Sequence, residues 1–368
     1  MVRPQPIAFA ALLGVAAALA VTPDPGAPLA ATSARWDAAT WDGASWDGAN
    51  WDRASWDGAQ WDASNWDASN WDASNWDASN WDGSFEGYDP LYPYQWGLRA
   101  ANVPGAWALA GPGSGERVVC VLDSGVDWRH PDLAPQMWRD PATGAMGRDL
   151  VDDDDDPMDV GGHGTHVASI AAARAGDGYG VAGVADARVM AVRVLDGEGR
   201  GTEADLAAGI RWCVDHGAHV LVLSLSTDDK DRHVTRAVRD AAQRGAVIVA
   251  SVGAGACDAC LSELARVPGV LGVTALAPDG GLAPFATWTK KTDLAAPGVH
   301  VPGARAGGGW VLGSGTSQAV PHVAGAAVLV WDASPHLDAK DVARLLRETA
   351  TPSGALDAEA AVRAALRT

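Results

Sequence analysis

The chain has 368 residues, of which 48% are hydrophobic and 20% charged, a composition typical of a folded protein with a large buried core. Its net charge of −19 argues against nucleic-acid binding, because proteins that bind nucleic acid present a basic face. Much of the charge is local: residues 36–82 carry −9 and Asp152 to Asp156 carry −5, so the remainder is only mildly acidic.

The N-terminal residues have the pattern of an export signal. Arg3 supplies positive charge, Ile7 to Val21 is apolar, and Ala18 and Ala20 are small residues suited to signal-peptidase cleavage. This apolar run is shorter than the roughly 20 residues that a spanning helix needs. The sequence therefore predicts a secreted, extracellular protein with no membrane span after the signal is cleaved.

A tryptophan-rich repeat divides the chain into three parts. Residues 1–31 form the signal and a spacer, residues 32–84 the Trp-Asp repeat, and residues 85–368 one folded domain. The repeat places a Trp-Asp pair every five residues, from Trp36 to Trp81. A period of five matches neither a helix nor a strand, which predicts a disordered low-complexity linker. The alternative is an aromatic arm that binds glycan, cell wall or a partner.

Beyond the repeat, apolar runs typical of strands alternate with helix-like segments. This alternation predicts an α/β domain with a parallel sheet covered on both faces, and a site at the carboxyl ends of the strands. The predicted strands are 117–122, 188–194, 220–225 and 246–252, and the predicted helices are 162–175, 202–216, 232–244, 317–331 and 338–349.

Three segments of this domain carry residues suited to catalysis. Asp123 ends the strand Val-Val-Cys-Val-Leu-Asp, His163 begins the helix of Gly-His-Gly-Thr-His-Val-Ala, and Ser317 lies in Gly-Thr-Ser-Gln-Ala-Val-Pro-His-Val-Ala-Gly. Taken singly, each residue fits a cap or a structural role. Together, in the order Asp, His, Ser on an alternating scaffold, they fit a catalytic triad.

These segments resemble the motifs of the subtilisin-like serine peptidases, and the resemblance covers about residues 90–368. It implies a subtilisin-like three-layer α/β/α fold with a mainly parallel central sheet, preceded by a low-complexity arm. It also implies an endopeptidase that acts on polypeptides. Ser317 would be the nucleophile, His163 the base and Asp123 the residue that orients the imidazole.

The same resemblance implies which backbone segments bind the substrate. Peptide substrates of this family add as a strand between two walls, above a specificity pocket. One departure is Ser226, which stands where the family usually has glycine. The implied walls are Gly199-Arg200-Gly201 and Ser224-Leu225-Ser226, and the floor of the pocket runs from Ser251 to Gly253.

The sequence departs from the family at the oxyanion hole. Ala254 occupies the position of an asparagine whose side chain donates to the oxyanion, which leaves the backbone N–H of Ser317 as the implied donor. In subtilisin, losing that asparagine costs about 10²–10³ in kcat. Gln318 is one candidate replacement.

Two functions are compatible with this departure. The first is a working but attenuated serine endopeptidase, which the complete triad favours. The alternative is a catalytically weak or inactive pseudoprotease that binds peptides or cell wall. A purely structural wall protein would explain the Trp-Asp repeat but not the triad.

No cofactor is required for this chemistry; a structural calcium ion is one interpretation of the acidic residues, and a solvated acidic loop is the alternative. Asp152 to Asp156 form a run of like charges that a hard cation would neutralise. Asp177 aligns with a residue type that binds calcium in some relatives.

The four cysteines are too few for a disulfide scaffold. Cys257 and Cys260 are predicted to form a short disulfide in an exported protein, with free thiols as the alternative. Cys120 lies within a predicted strand and Cys213 within a predicted helix, so both are predicted to be buried thiols. His166 and His322 are predicted to be packing residues.

Overall fold

The computed structural model describes residues 89–227, 231–254 and 262–368. The predictions for the export signal, the Trp-Asp repeat and the Cys257–Cys260 pair fall outside these residues. No helix in the described ranges is long and apolar enough to cross a membrane.

Strands and helices alternate along the described chain. The strands are β1 (Val118–Asp123), β2 (Gly147–Asp149), β3 (Arg188–Arg193), β4 (Val220–Leu223), β5 (Val247–Ser251), β6 (Val270–Leu276), β7 (Leu294–Pro297), β8 (Val301–Ala304) and β9 (Trp310–Gly313). The helices are α1 (Trp96–Ala100), α2 (Val103–Ala110), α3 (His163–Ala172), α4 (Glu203–Asp215), α5 (Arg232–Gln243), α6 (Thr316–Ala333), α7 (Ala339–Glu348) and α8 (Ala358–Ala365). Every element predicted from the sequence is present, with bounds shifted by at most three residues.

Seven strands form one parallel sheet in the order β2-β3-β1-β4-β5-β6-β7. Strands β8 and β9 form a separate antiparallel pair. All six residues of β1 are buried, as expected of a central strand that is covered on both faces and is therefore apolar throughout.

Helices cover the sheet on both faces. Alternate residues of β1 point to opposite sides: Val119 and Val121 pack in one apolar core, and Cys120 and Leu122 pack in the other. Helices α2, α3, α6, α7 and α8 contribute to the first core, and α4 and α5 contribute to the second. This arrangement confirms the predicted three-layer α/β/α fold.

The prediction of buried thiols at Cys120 and Cys213 is wrong, because the two cysteines form a disulfide. Cys120 points from β1 toward α4, and the Cα atoms of the two residues are 6.1 Å apart, within disulfide range. Because 93 residues separate the two cysteines, the spacing of cysteines in the sequence could not predict their pairing. The described residues include no free cysteine.

Candidate active site

The candidate site lies at the carboxyl edge of four neighbouring strands. In the order β3-β1-β4-β5, the chain passes from β1 to β3 on one side and returns to β4 on the other. Such a change of direction leaves a crevice between the loops that follow adjacent strands. Asp123 ends β1, and the predicted substrate walls and pocket floor follow β3, β4 and β5.

Asp123 and His163 are in direct contact. The Nδ1 atom of His163 lies 2.8 and 2.9 Å from the two carboxylate oxygens of Asp123. Asp123 is completely buried, and the backbone N–H of Ser124 donates to its Oδ1 at 2.7 Å. The contact requires Gly164, because a Cβ there would lie 2.0 Å from the carbonyl oxygen of Gly125.

A second buried carboxylate shapes the turn before His163. Asp159 accepts from the backbone N–H groups of Gly161 and Gly162, and from both the N–H and the hydroxyl of Thr165. It also accepts from the Ser124 hydroxyl at 2.8 Å, which ties the turn to the end of β1. Sequence reasoning missed Asp159, although an acidic residue just before a helix is a recognised capping signal.

Ser317 is the second residue of α6, a buried helix that packs against α3. Its hydroxyl donates to the backbone carbonyl of Ser224 at 3.0 Å, and the Ser224 hydroxyl donates to the backbone carbonyl of Ser317, also at 3.0 Å. The second bond is explained by Pro321, which lies four residues beyond Ser317 and has no N–H to donate to its carbonyl.

The predicted wall at residues 199–201 is a tight loop built around Asp196. The carboxylate of Asp196 accepts from the backbone N–H groups of Glu198 and Arg200. The Nε atom of the Arg200 side chain lies 3.4 Å from Oδ2 of the same carboxylate. Gly199 adopts a positive φ of 73°, and a Cβ on Gly201 would lie 2.2 Å from the Val194 carbonyl oxygen. Both glycines are therefore required by the loop itself.

The other wall and the pocket floor end at neighbouring strands. Ser224 and Leu225 are buried and Ser226 is partly exposed. The Ser251 hydroxyl lies 2.7 Å from the Thr316 hydroxyl, which connects the end of β5 to the start of α6. It also accepts from the N–H of Gly253, whose φ is +90°.

The residue at the predicted oxyanion position, Ala254, lies just beyond the end of the strand that carries the predicted pocket floor. Ala254 follows β5, is buried, and pairs with Ala286 through a short antiparallel bridge. Its methyl group has no donor to offer. The Gln318 amide lies beside His166, with 3.5 Å between Nε2 and Nδ1, so Gln318 is not oriented as the replacement donor.

The sequence model described as Subtilase family matches residues 114–364. The chain belongs to the subtilase family. A thermophilic serine proteinase of Bacillus sp. (strain AK1) is 39% identical over 238 residues, which cover 64% of this chain and 57% of that protein. Thermitase of Thermoactinomyces vulgaris is 36% identical over 268 residues, which cover 72% of this chain and 92% of thermitase.

A solved protease structure from Pseudoalteromonas arctica PAMC 21717 is similar to this subtilase in fold. Its TM-score is 0.68 at 26% identity, over 76% of this chain and 99% of that one. These similarities confirm the predicted enzyme class, a serine-type endopeptidase.

Two buried histidines of the subtilase are held by backbone carbonyls. His166 Nε2 lies 3.1 Å from the Val301 carbonyl oxygen, and His322 Nδ1 donates to the Gln318 carbonyl at 2.9 Å. Burial lowers the pKa of each imidazole to about 4. For His166 the nearby His163 ring lowers the pKa further.

Two arginines pair with three of the five carboxylates in the acidic loop at residues 152–156. Arg148 pairs with Asp153 and with Asp155, and Arg193 pairs with Asp152 at 2.5 Å. The repulsion that suggested calcium in this loop is thus met in part by protein cations.

Asp177 lies beside a different acidic group, centred on Asp132. Asp132 is completely buried. Its Oδ2 atom accepts hydrogen bonds from Trp310 Nε1 at 2.8 Å and from the backbone N–H of Val181. Its Oδ1 atom has no hydrogen-bond partner in the described structure. Burial raises the pKa of Asp132 to about 7, and the charges of Asp177 and Asp89 raise it further. Among described residues, no three His, Cys, Asp or Glu side chains are grouped closely enough to hold a metal alone.

Proposed function

We propose that this subtilase cleaves polypeptides through Ser317, His163 and Asp123, by way of an acyl-enzyme. The observation that carries the proposal is the buried contact of 2.8 Å between His163 Nδ1 and Asp123, at the strand edge where Ser317 begins α6. With Nδ1 held by Asp123, Nε2 is the ring atom that would exchange a proton with Ser317 and the substrate.

The first step begins when the Ser317 hydroxyl leaves the Ser224 carbonyl and gives its proton to Nε2 of His163. The Ser317 oxygen then attacks the carbonyl carbon of the scissile peptide bond and forms a tetrahedral oxyanion. His163 returns the proton to the leaving amine as the C–N bond breaks. Water, deprotonated by the same imidazole, hydrolyses the ester and regenerates Ser317.

Asp123 assists by holding one tautomer of His163 and stabilising the imidazolium that forms in each step. It can do so because it is completely buried and already accepts from the Ser124 N–H at 2.7 Å. A carboxylate that is fixed before the reaction needs no reorganisation when charge develops on the ring.

The oxyanion is stabilised by fewer donors than in subtilisin. The N–H of Ser317, at the positive end of the α6 dipole, supplies one hydrogen bond. Ala254 supplies none, so we infer an attenuated enzyme. A catalytically weak peptide-binding protein is the second candidate function, and Ala254 is the observation in its favour.

Substrate backbone would pair between the loop at residues 199–201 and the segment 224–226, with the side chain before the scissile bond above residues 251–253. Rigid backbone recognises an extended peptide by strand addition. Asp196 holds the loop at residues 199–201, because its carboxylate accepts from the N–H groups of Glu198 and Arg200.

The decisive experiment compares peptide-library hydrolysis by the full chain and by its Ser317→Ala variant. Both proteins are first shown to melt at the same temperature. Cleavage by the full chain alone supports the proposed mechanism. If a folded full chain cleaves no more than Ser317→Ala, the mechanism is refuted and the peptide-binding function takes its place.

Export follows from the N-terminal pattern of Arg3 and the apolar run 7–21, and we propose that the enzyme acts outside the cell. The Trp-Asp repeat would then meet cell-wall glycan. Sedimentation of the Ser317→Ala chain with insoluble wall polymer tests this contact. Recovery of all the protein in the supernatant would contradict it.

We also propose a calcium ion at Asp177, whose charge acts on the buried carboxyl of Asp132. Asp132 fits a cation because its buried Oδ1 has no partner and faces like charges. Carbonyl oxygens of the neighbouring loop would complete the ligand set, as calcium prefers.

The melting temperature of the Ser317→Ala chain in calcium and in EGTA tests this site. Calcium should raise the melting temperature, and Asp132→Asn should abolish that increase. Asp155→Asn is the matched control, because Asp155 pairs with Arg148 and should leave the calcium response intact. Equal melting temperatures in calcium and EGTA would refute the site.

A further inference from the structure

Helix α5 presents a row of arginines to solvent. Its apolar residues face the second core, and at 100° per residue the stripe opposite them is formed by positions 232, 236, 239 and 243. Three of these positions are arginine and all four are exposed. The exposed stripe consists of Arg232, Arg236, Arg239 and Gln243. The opposite, buried face consists of Val234, Ala237, Val238 and Ala241.

The three arginines of this row form no ion pair in the part of the chain that the structure describes. The two acids next to the row in sequence have contacts of their own, and the charge of Arg232 also acts on Asp231. Asp231 caps the helix by accepting from the N–H groups of residues 233 and 234, and Asp240 lies at the side of the stripe, 3.8 Å from Arg244. In a chain of net charge −19, three unpaired cations on one helix face are conspicuous.

The described structure contains one Trp-Asp pair of its own, and an arginine binds it. The guanidinium of Arg117 lies 4.8 Å from the ring centroid of Trp331, and its Nε lies 3.1 Å from Oδ1 of Asp332. One arginine thus makes a cation–π contact and an ion pair with adjacent residues. Residues 331–334 read Trp-Asp-Ala-Ser, the same four residues that begin four units of the Trp-Asp repeat.

We propose that the Trp-Asp repeat of the same chain docks on the arginine row of α5. An arginine of the row would take the carboxylate and the indole of one Trp-Asp pair, as Arg117 does with residues 331–332. Charge complementarity supports this occupant, because residues 36–82 carry −9 and the row carries three unpaired positive charges. At about 3.3 Å per residue, the extended repeat would span roughly 150 Å, so reach does not limit the contact.

Docking would cover indoles that otherwise meet water, and it would leave the candidate active site accessible. Helix α5 packs in the core on one face of the sheet. Helices α3 and α6 pack in the core on the other face; His163 is the first residue of α3, and Ser317 is the second residue of α6. Peptidase activity should therefore be the same with the repeat docked or released.

Cleavage of the repeat by added chymotrypsin tests the proposal in the full chain carrying Ser317→Ala. Chymotrypsin cuts after tryptophan, so docked pairs are protected, and N-terminal fragments are timed by mass spectrometry. The test variant carries Arg232→Gln, Arg236→Gln and Arg239→Gln. The matched control neutralises Arg139, Lys290 and Arg367, three exposed cations without an ion pair in the described chain.

The expected result is at least fivefold faster cleavage of the repeat in the α5 variant and an unchanged rate in the control. Neutralising the repeat itself, by Asp→Asn at its ten Trp-Asp pairs, should give the same acceleration without touching α5. High salt should accelerate cleavage of the unmodified repeat, because exposed ion pairs are screened.

Three outcomes would overturn the proposal. The first is equal cleavage rates in the α5 variant and the control. The second is an unchanged cleavage rate when the repeat is neutralised. This variant leaves α5 intact, so its result does not depend on whether the α5 variant folds. The third is protection that disappears on dilution, which would assign the contact to a second copy of the chain.

Discussion

At the scale of single residues, Pro321 determines how Ser317, the proposed nucleophile, is held. A helical residue at position 321 would donate its N–H to the Ser317 carbonyl, and proline cannot. The Ser224 hydroxyl supplies that hydrogen bond instead, while the Ser317 hydroxyl donates to Ser224 in return. Ser224 thus positions Ser317 through its side chain, in addition to the wall role predicted for its backbone.

Ser224→Ala should lower kcat about tenfold with little change in KM, because the start of α6 loses its tie to the end of β4. An unpaired buried carbonyl should also destabilise the protein by about 1–3 kcal/mol. Steady-state kinetics and thermal melting measure the two effects.

Pro321→Ala in the Ser224→Ala background provides the control for this prediction. It restores an N–H to the Ser317 carbonyl and should recover most of the lost stability. A double variant no more stable than Ser224→Ala would show that the Ser317 carbonyl is not the group that Ser224 satisfies.

Ala254→Asn should raise kcat at least tenfold with little change in KM. The added amide would donate to the oxyanion, which carries full charge only in the transition state, so the ground state gains little. Ala254→Asp is the matched control, because a carboxylate of nearly the same shape accepts where the amide donates. A gain with Asp as large as with Asn would contradict an oxyanion role for this position.

At the scale of elements, the sequence predicted best where burial imposes a continuous pattern. Strands β1, β3, β4 and β5 lie inside the sheet with apolar residues on both faces, and each was predicted within two residues; β6, which is equally buried, was missed. The short edge strand β2 reads Gly-Arg-Asp and β7 reads Leu-Ala-Ala-Pro. Pairing with neighbours, rather than intrinsic propensity, makes these segments strands, so composition could not show them.

In the candidate site, too, some residues were predicted from the sequence and others were missed. Asp123, His163 and Ser317 lie in long motifs, and the direct contact of the first two agrees with the prediction. Asp159 and the side-chain role of Ser224 were missed because their partners come from other segments of the chain. Hydrogen bonds between residues that are far apart in the chain cannot be predicted from the spacing of residues in the sequence.

The disulfide between Cys120 and Cys213 ties β1, which ends in Asp123, to α4. Replacing both cysteines by alanine should destabilise the folded domain by about 2–4 kcal/mol, mainly because the unfolded chain gains freedom over a loop of 93 residues. The melting temperature of the Ser317→Ala background should fall by roughly 5–10 °C.

The single variants Cys120→Ala and Cys213→Ala should each cost as much as the pair, because the bridge is lost once. Effects that simply add would show that packing of the two side chains, not the bridge, provides the stability.

At the scale of the whole molecule, acid stability reflects which groups the fold keeps neutral. His166 and His322 have pKa values lowered to about 4 by burial, against about 6.5 in an unfolded chain. Between these values the unfolded chain binds protons that the native chain cannot, so stability is complete above pH 6.5 and falls as pH decreases toward 4. Asp132, with its pKa raised to about 7, acts in the opposite direction, since its contribution is lost as pH rises through 7.

In the described chain, burial lowers the pKa of five histidines and raises the pKa of two carboxyls, so the melting temperature of the Ser317→Ala chain should fall between pH 7 and pH 5. His322→Asn should make that fall smaller by about 2 kcal/mol, or roughly 4 °C, because asparagine does not titrate. The asparagine amide can still donate to the Gln318 carbonyl in place of Nδ1. His233→Asn is the matched control at an exposed histidine. An unchanged slope in His322→Asn would show that His322 is protonated equally in the folded and unfolded chains, so that burial does not govern its charge.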